Sequence, residues 1–454
     1  MRLLLILAAT SLFAAGPVVT ISKENPRYWA LDGRTQPLIG GSVEDNLFQI
    51  PNLREHLDLL KASGGNYIRC TMSSRDKGDA WPFYPDPATG KYDLNRFNPE
   101  YWRRFGELMK LTAERGIVVQ IEVWDRFDFA VAPWTLNPFN PVNNGQLTES
   151  NSGLKPVYEK HPGQRETPFF RSVPALDNSQ PLLKYQQAFV NKLLEESLAY
   201  SHVLYCMDNE TNESAEWGAY WSRFIQAAAS RRGRQVHTTE MWDPWDLNDP
   251  MHLRTFDHPE LYSFVDVSQN NHQKGQTHWD NLQSVRGRLA QRPRPMNVVK
   301  IYGADTGRYG TDRDGEERFW RGLIGGLATS RFHRPDSGLG LSPKAQAHLK
   351  SMRMLLSAVH LPAGEPRLDL LSDREPNEAY LNAAPGRHYV VYFTNGGQAR
   401  LTLKDEKGSW TLRWLDIAGS RWTEPQPVTP GEILLTAPSP GHWTAVVTPA
   451  TAAR

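Results

Sequence analysis

The chain has 454 residues, with 51 Lys+Arg against 50 Asp+Glu and a formal charge of +1. That balance excludes the basic footprint of a nucleic-acid binder and a polybasic membrane anchor. With 39% hydrophobic and 22% charged residues, the chain is globular and long enough for one large barrel plus a small domain. Its 15 Trp beside 16 Tyr and 17 Phe leave two readings open: a large aromatic core, or flat platforms for a ligand.

The opening MRLLLILAATSLFAAG has a positive Arg2, an apolar run from Leu3 to Ala9 and small residues Ala14, Ala15 and Gly16. It reads as a secretory leader over residues 1–16, so the expected location is secreted or periplasmic. No later apolar run reaches the roughly 18 residues of a membrane span. Cys70 and Cys206 lie in apolar, strand-like runs and are expected as buried thiols. Neither cysteines nor histidines show metal-ligand spacing, and no Gly-rich phosphate loop occurs, so neither metal nor nucleotide cofactor is expected.

Hydrophobic periodicity then predicts an alternation. Pro37–Ser42 is a strand, Asn52–Ser63 a helix, Asn66–Met72 a strand, Pro99–Arg115 a helix closed by Gly116, and Ile117–Trp124 a strand. A long Pro-, Asn- and Gly-rich loop runs from Asp125 to about Gln180. Helices are predicted at Leu182–Tyr200, Glu213–Arg232, Trp279–Ala290, Glu316–Gly325 and Pro343–Val359. The remaining strands are His202–Met207, Gln235–Met241, Leu261–Ser268, Asn297–Tyr302 and Leu327–Phe332. Between Met241 and Leu261 only a short helix fits. Strand–helix alternation of this length predicts a (β/α)8 barrel, a TIM barrel of α/β class, over residues 17–361. Six short strands punctuated by turn residues follow, predicting a small antiparallel β-sandwich over 367–454, with the boundary at Leu361 to Pro366.

In such a barrel the site lies at the C-terminal strand ends. These ends carry Glu44-Asp45, Arg69, Trp124-Asp125, Asn209-Glu210, Glu240 with Trp242, His272, Tyr302 with Asp305, and Arg331 with His333 and Arg334. Carboxylates, amides and indoles on one rim suit a polyhydroxylated ligand. Cleaving a glycosidic bond needs two carboxyl groups and no metal. The catalytic candidates are Glu210, Glu240 and Asp305. The substrate-binding candidates are Arg69, Trp124, Asp125, Asn209, Trp242, His272, Tyr302, Arg331 and His333. The Arg331-Phe332-His333-Arg334 corner hints at an acidic sugar or a carboxylate partner.

The stretch VLYCMDNE, with Asn209-Glu210 ending a fourth strand, resembles the Asn-Glu signature of clan A glycoside hydrolases. The resemblance implies Glu210 as general acid/base, with Asn209 on the sugar 2-hydroxyl. Arg69 matches that clan's habit at the second strand end. The run Tyr92 to Trp102, and the ending from Trp414-Leu415-Asp416 to Gly441-His442-Trp443, are similar to its apiosidase-like branch, which carries a collagen-binding-type β-domain. One departure stands out. The clan's nucleophilic Glu at strand seven is missing from Asn297-Val298-Val299-Lys300-Ile301-Tyr302-Gly303. Asp305 or Glu240 could replace it, a carboxylate could activate water with inversion, or the barrel could bind glycans without turnover. The expectation is a monomeric hydrolase of plant or microbial oligo- or polysaccharide, acting with retention.

Overall fold

The structure, a computed structural model, describes residues 16–158, 167–307, 309–403 and 405–450. The leader expected over residues 1–16 lies, but for Gly16, outside them.

The apolar runs become eight parallel strands: β1 (Leu38–Gly41), β2 (Tyr67–Thr71), β3 (Val118–Asp125), β4 (Val203–Asn209), β5 (His237–Thr239), β6 (Val265–Asp266), β7 (Met296–Asn297) and β8 (Thr329–Phe332). A helix follows each: α1 (Leu53–Ala62), α2 (Pro99–Arg115), α3 (Gln180–Ser197), α4 (Ala215–Arg231), α5 (Pro250–Phe256), α6 (Gly275–Arg288), α7 (Asp312–Ile324) and α8 (Pro343–Ala358). Strands β2 to β5 form one ladder, β6 pairs with β7, and β8 pairs with β1. Further backbone bonds close the gaps, such as Asn66 to Ile39, Ser263 to Thr238 and Ala328 to Met296. The result is the expected (β/α)8 barrel.

Local chemistry sets the helix ends. In α2, the Asn98 side chain accepts from the Glu100 N–H, Pro99 opens the first turn, and Gly116 ends the helix at φ +67°. The predicted strands at Leu261–Ser268 and Asn297–Tyr302 shrink to two residues each as β6 and β7. Polar side chains take over their backbone bonds: Ser268 accepts from Val299 N–H, and Arg331 donates to the Val299 carbonyl.

An antiparallel three-stranded sheet (Val19–Ile21, Trp29–Leu31, Arg34–Gln36) plugs the N-terminal mouth. Tyr28 and Trp29 pack there with the interior residues Leu38, Tyr67, Val118 and Leu204. The Trp29 indole donates to Asn297 at 2.9 Å. This plug was not predicted, because its strands are only three residues long.

Beyond α8 the chain forms the antiparallel β-sandwich. Its larger sheet holds β9 (Ala379–Ala384), β10 (His388–Phe393), β11 (Trp410–Asp416) and β12 (Trp443–Pro449). A smaller sheet pairs Gln398–Thr402 with Glu432–Thr436 and Leu371–Ser372. Strands β9 and β10 are buried throughout, because both faces are covered. One face packs on the smaller sheet through Leu381, Val391, Leu401 and Leu435. The other meets the barrel, where Tyr380 packs on Trp279 and Tyr392 on Trp320. His442 reaches Glu316 of α7 at 3.0 Å, and Ser351 of α8 donates to the Ile417 carbonyl at 2.6 Å. No helix among the described residues is long and apolar enough to cross a membrane.

Candidate active site

The C-terminal strand ends surround a cavity of about 810 Å³, and all eight contribute to its wall. Asp45 follows β1; Arg69 and Arg75 come from β2 and its loop; Arg126 and Phe127 follow β3. Asn209 and Glu210 end β4, and Asp243 and Trp245 follow β5. His272 follows β6; Lys300, Tyr302 and Tyr309 follow β7; and His333, Arg334 and Asp336 follow β8.

Glu210 is the centre of the charge network. Its backbone is left-handed, with φ +55°, a conformation that costs a non-glycine residue about 1–2 kcal/mol. The carboxylate is held by the Lys300 ammonium and accepts from the Tyr302 hydroxyl at 3.3 Å. Arg126 stands 3.9 Å from its other oxygen. Burial alone would raise the Glu210 pKa, but Lys300 and then Arg126 and Arg69 outweigh it and pull it down to about 2. Lys300 also reaches the Asn209 amide oxygen at 3.4 Å, and the Asn209 amide donates to Asp125 at 3.2 Å.

A second cluster centres on Asp45, which meets Arg69 at 3.0 Å, Arg331 at 3.3 Å, His333 at 3.4 Å and Arg334 at 3.8 Å. Burial pushes this carboxyl up, yet the guanidinium groups of Arg69, Arg331 and Arg334 hold it well below the carboxylate range. Arg69 also grips Glu122 at 2.5 Å inside the barrel. Burial lowers His333 far below the usual histidine range, and lowers His272 to about 4, so both rings are neutral at pH 7.

The aromatic wall is built from loops. Trp245 is 59% exposed and stacks on His272 at 4.1 Å with an interplanar angle of 10°. Tyr302 and Tyr309 stack at 4.4 Å and meet the His272 edge.

Of the sequence candidates, the cavity thus brings together Glu210, Arg69, Asn209, His272, Tyr302 and His333. Asp125 stands one layer behind, accepting from Arg75 at 2.7 Å. Arg331 is wholly buried and bonds to Ser42 and the Val299 carbonyl, beneath the cavity floor. Trp124 lies outside the barrel wall, packed on Phe169, Phe189, Trp217 and Trp221, where it anchors the long insertion. Trp242 is buried with its indole on Thr255 and Arg254 over its ring. Neither indole is a platform in this structure.

Glu240 also turns away. Its neighbour Met241 faces the barrel interior, so strand alternation aims Glu240 at α4, beside Gly218. There it accepts from the Asp208 and Met241 N–H groups. Asp305 is an exposed turn residue that exchanges two bonds with Asp312 at the start of α7. Neither residue lines the cavity. Arg75, Arg126, Asp243 and Trp245 were missed. Two weak signals pointed at them: Arg126 directly follows Asp125, and Trp245 ends the run Trp242-Asp243-Pro244-Trp245.

Both cysteines are free and buried, as expected. Among the described residues no group of three or more His, Cys, Asp or Glu is placed to hold a metal ion.

No protein-family model matches the sequence, and no curated protein matches it either. Solved structures do. A glycoside hydrolase family 5 protein from Bacteroides vulgatus aligns over 95% of this chain and 93% of its own, with TM-score 0.65 and 12% identity. A further glycoside hydrolase aligns over 96% and 98%, with TM-score 0.65 and 11% identity. A family 5 mannosidase from Rhizomucor miehei, solved with mannosyl-fructose, covers 75% of this chain and 97% of its own, with TM-score 0.52 and 12% identity. The fold is therefore that of a glycoside hydrolase family 5 barrel with a C-terminal β-sandwich.

Proposed function

We propose that the chain is a glycoside hydrolase that takes a saccharide in the 810 Å³ cavity, with Glu210 as a reacting carboxylate. The observation that carries this reading is the placement of Asn209-Glu210. The pair ends β4, and the left-handed turn at Glu210 brings its carboxylate to the cavity beside an aromatic wall. The stacked rings suit the apolar face of a sugar, and the carboxylates and amides suit its hydroxyls.

Glu210 is ionised while Lys300 holds it. In that state it can attack an anomeric carbon or activate water, but it cannot donate the leaving-group proton. Acid catalysis therefore requires that Lys300 be drawn off, leaving burial as the dominant influence and the pKa free to rise. A second carboxylate must come from the wall, which offers Asp45, Asp243 and Asp336. The apiosidase-like branch is supported by the Tyr92–Trp102 run and the C-terminal ending alone, and export by the leader sequence alone.

The Lys300–Glu210 contact also favours a second reading, a glycan-binding barrel without turnover, because the strand-seven stretch, which lacks the clan's Glu, brings an ammonium to Glu210. Incubating the protein with a broad glycan panel and measuring released reducing sugar separates the two. The first reading expects release by the wild type and its loss in Glu210→Gln. Binding to a glycan with no release from any of them supports the second.

A further inference from the structure

The cavity has a cationic side that neutral sugars leave unused. Lys300 and Arg126 flank Glu210 from β7 and β3. Arg126 is tied to Asp243 by two bonds of 2.7 and 3.1 Å, and Asp243 belongs to the same loop as Trp245. The Arg126 Nε–H is buried with no acceptor among the described residues. Arg75 and Arg334 are partly exposed at the rim. An unpaired buried donor is costly and points to an acceptor that arrives with the ligand.

We infer that the ligand is an acidic saccharide, whose sugar carboxylate takes Lys300 and Arg126 from Glu210 while its ring lies on Trp245. The inference rests on the reading of this cavity as a saccharide site and names its substrate class. Two carboxylates then compete for one ammonium. When the ligand's carboxylate wins, Glu210 remains buried without its strongest counter-charge and takes up a proton from water. The acidic sugar thereby converts Glu210 from a locked carboxylate into a proton donor for the glycosidic oxygen. A neutral sugar leaves the lock closed. Lys300 is thus a specificity-determining residue as well as the cause of the resting charge state.

The test is direct binding of glucuronate and galacturonate against glucose and galactose, followed by Trp fluorescence and by calorimetry at low and high salt. Uronates are expected to bind at least about tenfold tighter, since a charge-assisted bond is stronger than a neutral one, and salt should erode the difference. Lys300→Met should abolish the preference and Lys300→Arg should keep it. Trp245→Ala should weaken uronates and neutral sugars alike. Equal binding of uronates and neutral sugars, or a preference that survives Lys300→Met, overturns the inference. Failure of the hydrolase reading shows separately, as uronate binding without release from any uronide.

Discussion

The Lys300 ammonium rests directly on the Glu210 carboxylate, bridging the ends of β7 and β4 across the barrel mouth. The contact sets a pair of opposite charges at the cavity wall. It also fixes the resting protonation state of the one carboxylate that the strand-four signature singles out.

Lys300→Met should therefore leave Glu210 buried without its strongest counter-charge. A loss of about 3–5 kcal/mol is expected at pH 7, read by chemical denaturation. The sign with pH follows from the depressed pKa. Glu210 contributes stability above its unfolded value near 4.5 and loses it as pH falls towards about 2. The gap between wild type and variant should thus narrow on acidification, and an unchanged gap at low pH would contradict the ion-pair account.

Asp208 and Glu240 make the opposite case. Burial first, then their mutual repulsion, holds Glu240 well above the usual range, and burial raises Asp208. Groups raised in the fold stabilise fully below their unfolded pKa and lose that stabilisation as pH rises through the folded value. Melting temperature should fall as pH rises above the ordinary carboxylate range, and Glu240→Gln should flatten the fall. The amide oxygen of Gln can keep the two backbone N–H bonds now made by Glu240.

Trp245, which the sequence reading missed, stands exposed at the cavity, whereas Trp124, expected as a platform, is buried. Trp245→Ala should cost at least about tenfold in saccharide affinity by removing a stacking face, with little change in stability at an exposed site. Trp124→Ala should destabilise by about 3–5 kcal/mol, because the indole is buried among four aromatic rings. Paired melting curves and binding isotherms on both variants check this, and reversed effects would move the platform back to Trp124.

Gly218→Ala probes the buried carboxyl from the helix side. A Cβ there would come within 2.3 Å of the Glu240 carboxylate, so the substitution should destabilise despite alanine's better helix propensity. Glu240→Ala in the same chain should relieve the clash, which a double-mutant cycle measures.

The alternation of strands and helices was legible because each buried face imposes its own period on the sequence. Pro99–Arg115 matches to the residue, since Asn98, Pro99 and Gly116 are explicit end signals. The six sandwich strands were equally clear. The site was legible only where a residue's direction follows from its strand end, as with Arg69, Asn209 and Glu210. Trp124, Trp242 and Glu240 ended strands too, but which side they face depends on twist and on what packs outside. Asp305 illustrates a third case, a turn carboxylate spent on the start of α7. Arg126 and Trp245 come from loops, whose course no periodicity encodes. Lys300 was visible as a departure, but its partner was not, because the contact spans 90 residues.

The most direct test of the central claim is saccharide release by wild type and Glu210→Gln, measured beside binding of the same saccharide. The account expects release by the wild type, a fall in kcat of at least about 100-fold in the variant, and affinity that is kept or tightened. Release that survives Glu210→Gln, or none from the wild type with any saccharide it binds, would contradict it.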